Sequence, residues 1–285
     1  HFMGIDILFQ GVLSLLNVIY NAAYVDMFQN FDEQRNFLKE PEGIFINNND
    51  FTLNINVDNV IVLEKSFLKN LDVALSLKKG TLKTEKFSLE GYDATYTFDV
   101  YAAFRQEYPF IKLEGGAKDL NLTKLYADSD MANKCSGILS FDYKFETNAF
   151  RIGQVIENGR GAINLSIKDG VISDFKILKD FNQLLSDNKY QERLPDPLAF
   201  SNFTITFQQS ANEFYVKNFT LSGNSCSFSA YGKYTEDEGL DIPVNLNITT
   251  ENSYSKIPLK ITGSITSPCI RINDKKAQGS LCFNQ

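Results

Sequence analysis

The sequence predicts a mainly β protein made of antiparallel strands, and three observations lead there. Apolar residues alternate with polar ones in many short runs, which is the period of a strand with one buried face. Turn residues separate those runs at the short, even spacing of an antiparallel meander. Composition agrees: 24 Phe, 13 Tyr and no Trp, with 43% hydrophobic and 22% charged residues. Aromatic and β-branched side chains suit a pleated, half-buried surface. The 285 residues suffice for one large or two medium domains with a real core.

In chain order, residues 1–45 are expected as an N-terminal helical segment, 46–274 as the β domain and 275–285 as a tail. Within 5–39, Leu8, Val12, Leu15, Leu16, Ile19 and Ala23 form a wide apolar stripe at helical spacing. The segment turns polar after Asp26 and stops near Pro41-Glu42-Gly43. Residues 7–25 carry no charge, yet Gln10, Ser14, Asn17 and Asn21 favour a buried or capping helix over a membrane span. The chain opens His1-Phe2-Met3 with no basic leader.

From Phe51 the period changes to two. Phe51, Leu53, Ile55 and Val57 alternate with Thr52, Asn54, Asn56 and Asp58, and Asn59 is expected to begin a turn. Leu71 to Leu77 alternates again and Lys79-Gly80 turns. Thr81 to Leu89, Tyr96 to Ala102, Phe110 to Leu113 and Leu120 to Leu122 continue the series. Lys124 to Asn133 is expected as a helical turn or two, and Ile138 to Phe145, with Leu139 and Phe141, as a strand. Phe150 to Glu157 reads as a short helix.

Arg160 to Tyr190 predicts a strand, a tight turn, a short return strand and one amphipathic helix. Ile163, Leu165 and Ile167 alternate with polar residues, and Asp169-Gly170 is a hairpin signal. Ser173 or Asp174 offers a helix cap. Phe175, Leu178, Phe181, Leu184 and Leu185 then lie on one stripe of a helix over 174–187. After the stiff link Leu194-Pro195-Asp196-Pro197, strands carry Phe203, Ile205 and Phe207, then Phe214 to Leu221, then Cys226 to Gly232. Ile242, Val244, Leu246 and Ile248 follow, then Ile257 to Ile261.

Several kinds of chemistry are hard to build from this chain. Its one histidine is His1, which removes most Ser-His, Cys-His and His-metal arrangements. The 4 cysteines show no C-x-x-C spacing, so no metal site is expected. Cys226 reads as a small buried apolar residue, and Cys269 and Cys282 could pair in an oxidising compartment. Asp128-Ser129-Asp130 reads as a surface turn, since no further acids sit at calcium-loop offsets. A net charge of −7 without a basic cluster argues against nucleic acid. No Walker loop, dinucleotide fingerprint or G-x-S-x-G is present, so no enzyme activity and no cofactor is expected. The sequons at Asn121, Asn164, Asn202, Asn218 and Asn247 read as the polar side of alternating strands.

The order of elements resembles the AsmA-like family. Gly161 to Ile172 is similar to that family's "G-x-hydrophobic-x-hydrophobic-x-hydrophobic-x-D-G-x-hydrophobic" element and is followed by the same short helix. Phe200 to Phe207, Phe219-Thr220-Leu221-Ser222, Ala230-Tyr231-Gly232 and Gly263-Ser264-Ile265-Thr266-Ser267-Pro268 continue the likeness. It covers roughly 51–274 and is best over 137–272. The resemblance implies a bent, elongated antiparallel sheet forming an open apolar groove. It also implies a periplasmic place, a membrane tether through a segment absent from this chain, membership of a larger envelope complex, and a part in phospholipid traffic like that of bridge-like lipid-transfer proteins.

The residues point the same way. A helix of about 13 residues spans only about 20 Å, too little to cover the apolar strand faces. A second sheet, partner chains or lipid chains must cover the rest. The candidate acyl-chain contacts are Phe51, Leu53, Ile55, Leu139, Phe141, Ile163, Leu165, Ile167, Phe203, Ile205, Phe207, Val244, Leu246 and Ile248. The helix stripe Phe175, Leu178, Phe181 and Leu185 is expected to close one mouth. The alternative expectation is a scaffold subunit that pairs with other chains through open sheet edges.

Overall fold

The structure, a computed structural model, describes residues 50–63, 66–104, 110–129, 131–148, 158–211, 213–235, 239–250, 253–264, 267–274, 277 and 279–282. The helical segment expected over 5–39 and the short helix expected over 150–157 lie outside these residues.

The described residues form one 14-stranded antiparallel sheet whose strand order is the order of the sequence. The strands are β1 (Phe51–Leu63), β2 (Ser66–Lys78), β3 (Thr81–Glu90), β4 (Thr95–Ala103), β5 (Phe110–Asn121), β6 (Cys135–Asn148) and β7 (Arg160–Ile172). They continue with β8 (Leu198–Ser210), β9 (Glu213–Ser222), β10 (Cys226–Thr235), β11 (Gly239–Thr249), β12 (Tyr254–Gly263), β13 (Pro268–Ile272) and β14 (Leu281–Cys282). β1 and β14 are the ends of the series and do not pair, so the sheet is not closed. Two helices accompany it among the described residues, α1 (Leu122–Leu125) and α2 (Lys176–Asp187).

Local chemistry explains the meander. Lys79 (φ 49) and Gly80 (φ 72) both adopt left-handed backbone, as a two-residue hairpin turn requires. Each strand then returns beside its predecessor. Register partners in an antiparallel pair point to the same face, so side chains can be followed across the sheet. Leu53 partners Leu75, Val73 partners Phe87, and Leu82 partners Ala102. Val100 partners Leu113, Leu113 partners Phe145, and Phe141 partners Leu165. Leu165 partners Ile205, Ile205 partners Phe219, Ala230 partners Val244, and Val244 partners Leu259. One apolar face therefore runs from β1 to β13, and bulges keep it in phase. At the β3 bulge, the Val100 N–H donates to Thr84 Oγ1 at 2.9 Å, so the disturbed ladder keeps its donor satisfied.

The apolar face gathers into two cores. The larger one packs Leu178, Phe181, Leu184 and Leu185 of α2 against Leu198, Phe200, Leu221, Cys226, Leu246, Ile248, Ile257 and Leu259. Leu185, Leu246 and Ile257 are fully excluded from solvent, at 0%, and each such side chain contributes about 1.5–3 kcal/mol relative to exposure. The smaller core holds Val73, Leu75, Val100 and Leu113, with Ile55, Phe87, Phe98, Ile111, Tyr143 and Phe145 against it. None of the described helices belongs to this second core.

The structure corrects several local expectations. Asp169-Gly170 is not a hairpin turn, and there is no short return strand. β7 runs straight through to Ile172 and pairs with both neighbours. Asp169 (φ 49) and Gly137 (φ 130) instead absorb a register shift between β6 and β7. The Phe200 ring occupies the space above Gly170, where a Cβ would fall 2.1 Å from ring carbon. Asn59 does not start a turn, because it pairs with Lys69 and β1 continues. Phe110 to Leu113 and Leu120 belong to one strand, crossing Gly115 and Gly116. The helix expected within 124–133 is the single turn α1, N-capped by the Asn121 side-chain Oδ1 accepting the Lys124 N–H. α2 starts at Lys176 rather than 174, after Phe175, with no side-chain cap. Ser173 Oγ donates to the Asn133 carbonyl, and Asp174 takes the left-handed conformation and receives Lys179 Nζ. Finally, Leu281 and Cys282, expected in a tail, form β14 and join β13 through the Cys269–Cys282 disulfide.

Candidate functional site

The strand candidates for apolar contact all fall on the one apolar face, but in three environments. Phe51 and Leu53 on β1 are 47% and 36% exposed, while Ile55 packs on the smaller core. Leu139 and Phe141 on β6 and Ile163 and Leu165 on β7 are half-buried and belong to neither core. Ile167, Phe203, Val244, Leu246 and Ile248 join the core under α2, as do Phe175, Leu178, Phe181 and Leu185, while Ile205 is buried at 7% outside both cores. Phe207 is half-buried on β8. The β1 and β11 groups are not brought together: the first and eleventh strands lie roughly 48 Å apart measured along the sheet.

Residues outside that candidate set complete the face between β1 and β6. From Phe51–Val57 through its register partners to Phe145, every position on it is apolar, glycine, threonine or tyrosine. Val73, Leu75, Phe87, Phe98, Val100, Ile111 and Leu113 supply most of it, with the Phe87 and Phe98 rings 5.6 Å apart. Their alternation was the available signal; what brought them together was their register, which no local pattern states. Glycines let aromatic rings lie across the strands. A Cβ at Gly115 would fall 2.6 Å from the Tyr143 hydroxyl, and one at Gly161 would fall 2.9 Å from the Phe145 ring.

The opposite face is polar and charged. Glu114 receives Lys112 and Lys144, each at 2.9 Å, and these two lysines hold its carboxyl below the usual carboxylate range. Lys86 pairs with Asp72, and Asn164 donates to Asp142 at 2.8 Å. The polar groups on the apolar face behave differently. Burial pushes the Tyr143 phenol up to about 12 and raises that of Tyr96, whose hydroxyl donates to the Gly91 carbonyl at 3.2 Å. Burial also pushes the Cys226 thiol up to about 11. Low dielectric disfavours the charged form, so these groups stay neutral.

At one end of the strands, Phe110, Glu146, Thr147, Asn148, Asn158, Arg160 and Ala211 line a cavity of about 530 Å³. Thr147 Oγ1 borders it and is the one buried side-chain polar atom without a partner among the described residues. No group of acids, cysteines or histidines able to hold a metal occurs among the described residues. None of the described helices is long and apolar enough to cross a membrane. In comparisons with protein-family models, curated proteins and solved structures, nothing matches this chain.

Proposed function

We propose that the protein is a lipid-binding module that offers an apolar β-groove to phospholipid acyl chains and passes them between membranes. The observation that carries this reading is the β1–β6 half of the apolar face. It is continuous and free of charge, and it has no described helix in its core. It also leads to exposed Phe51, Leu53 and Val57 on β1, which has no second strand partner among the described residues. Apolar surface of that extent marks a binding site on a soluble face. Six strands span roughly 24 Å across the sheet, more than the roughly 15 Å that one leaflet's chains occupy in a bilayer. In this reading the sheet is bent and elongated, and the α2 core, with Leu185 and Leu246 at 0% exposure, is the closed end.

The AsmA-like resemblance supports the same assignment, and in this reading the module works in the periplasm, tethered to a membrane in the cell envelope. The chain's own groups bind and shelter here. They hold no nucleic acid, no cofactor and no catalytic centre in this reading. Native mass spectrometry and lipid extraction of the purified full chain test it, with a photo-crosslinking residue at Leu53 or Phe98 and, as control, at Tyr231 on the polar face. Co-purified phospholipid, cross-linked at the first two positions and not the third, is expected. A lipid-free protein with no acyl-chain cross-link overturns the reading.

A further inference from the structure

Among the described residues the sheet ends in two edge strands, and they are built differently. β14 has 2 residues, is joined to β13 by a disulfide and lies against α2. A very short edge strand is one way proteins prevent strand addition. β1 has 13 residues, FTLNINVDNVIVL, with Asp58 its sole charge and neither Pro nor Lys. Its one register irregularity lies at its far end, between Ile61 and Leu63. The devices that blunt an edge are therefore missing over Phe51 to Val60, where a row of backbone N–H and C=O groups faces outward. The same strand keeps large aliphatic and aromatic side chains in solvent: Phe51 at 47%, Leu53 at 36% and Val57 at 37%. The other exposed large hydrophobics among the described residues are Tyr101, Tyr231 and Tyr254, whose hydroxyls suit water.

Water can satisfy a row of outward backbone groups, but an added strand satisfies them and also buries the exposed side chains beside them. That strand must place apolar side chains at alternate positions on the same face, and it must keep acids away from Asp58. We propose that the occupant is β1 of a second copy of this chain, added antiparallel about a two-fold axis perpendicular to the sheet. β1 complements itself in that arrangement. With the axis at Ile55, Leu53 faces Val57, Asn54 faces Asn56 and Thr52 faces Asp58, so apolar meets apolar and no like charges are opposed. A perpendicular two-fold leaves both apolar faces on one side. The two β1–β6 halves then adjoin, and the two helix-covered ends lie outermost. This pairing does not depend on the lipid reading.

Sedimentation velocity on the full chain, over roughly 1–100 µM, tests it. A dimer mass that falls to monomer on dilution is expected, with β1 amides exchanging hydrogen more slowly as concentration rises. The double variant Leu53→Lys, Val57→Lys sets like charges opposite one another across the axis. It is expected to raise the dissociation constant about tenfold or more, whereas Tyr231→Lys on the polar face leaves it unchanged. A monomer over the whole range overturns the proposal whether or not the variant folds. So does a dimer that the edge charges leave intact, or one whose β1 exchange ignores concentration.

Discussion

The two halves of this sheet use the same strand chemistry and finish it differently. In β7–β14, many inward residues share one core with α2, and Leu185, Leu246, Ile248 and Ile257 are at 0–1% exposure. In β1–β6, the smaller core holds Val73, Leu75, Val100 and Leu113 below 8%, and the face then runs out to Phe51 and Leu53 at the edge. The outward faces are alike: Lys86 with Asp72 in one half, Lys260 with Asp241 in the other. The difference is thus in the cover. An amphipathic helix turns an apolar sheet face into a core, and among the described residues only the later strands have one.

Large-to-small substitutions separate the halves most strongly. Leu246→Ala should cost about 2–5 kcal/mol by urea unfolding, because its neighbours in the helix-covered core cannot collapse onto the gap. Leu53→Ala, at the exposed edge, should stay within about 0.5 kcal/mol. Equal losses would mean that the halves do not differ. Replacing both Cys269 and Cys282 by Ser opens a loop of sequence separation 13. The expected loss is about 3 kcal/mol, with faster hydrogen exchange in β12–β14 and none in β1–β6. A uniform rise in exchange would show the sheet acting as one unit.

The smallest effect is on alkaline stability. Tyr143, in the β1–β6 half, is raised by burial to about 12, against an ordinary value near 10. A raised folded pKa means the native state holds its proton longer than the unfolded chain. The stabilisation is fully present below pH ~10 and is lost as pH rises through about 12. Tyr143→Phe should flatten that part of the melting-temperature profile. Cys226, in the helix-covered half, is raised to about 11 and should give its own slope at lower pH. A Tyr143→Phe profile that keeps the wild-type slope would show that the β1–β6 face does not desolvate its phenol.

Much of the fold was legible in the residues. The alternations at Phe51–Val57, Ile163–Ile167 and Ile242–Ile248 are strands, Lys79-Gly80 is a turn, and Leu178, Phe181, Leu184 and Leu185 are the buried stripe of a helix. The failures share a cause. Asp169-Gly170 has the chemistry of a hairpin turn, but a left-handed Asp serves a bulge equally well. The partner across the ladder decides which, and here β6 and β8 both extend past it. Ser173 has the chemistry of a cap, but its hydroxyl finds the Asn133 carbonyl first. The candidate residues on β1 and β11 were read as sharing one sheet face, and they do, ten strands apart. Alternation gives a residue's face and not its place in the sheet.

By itself, then, the sequence determined what is local: period-2 strands, their polar and apolar sides, one greasy helix, and the absence of histidine chemistry beyond His1. Those follow from side-chain size, charge and backbone preference over a few residues. Only the tertiary structure decided that the strands lie in sequence order in one open sheet, that α2 covers the later strands, and that β1 is the edge strand among the described residues. Those depend on register and on contacts between residues far apart in the chain, where many arrangements share the same local pattern and packing selects one.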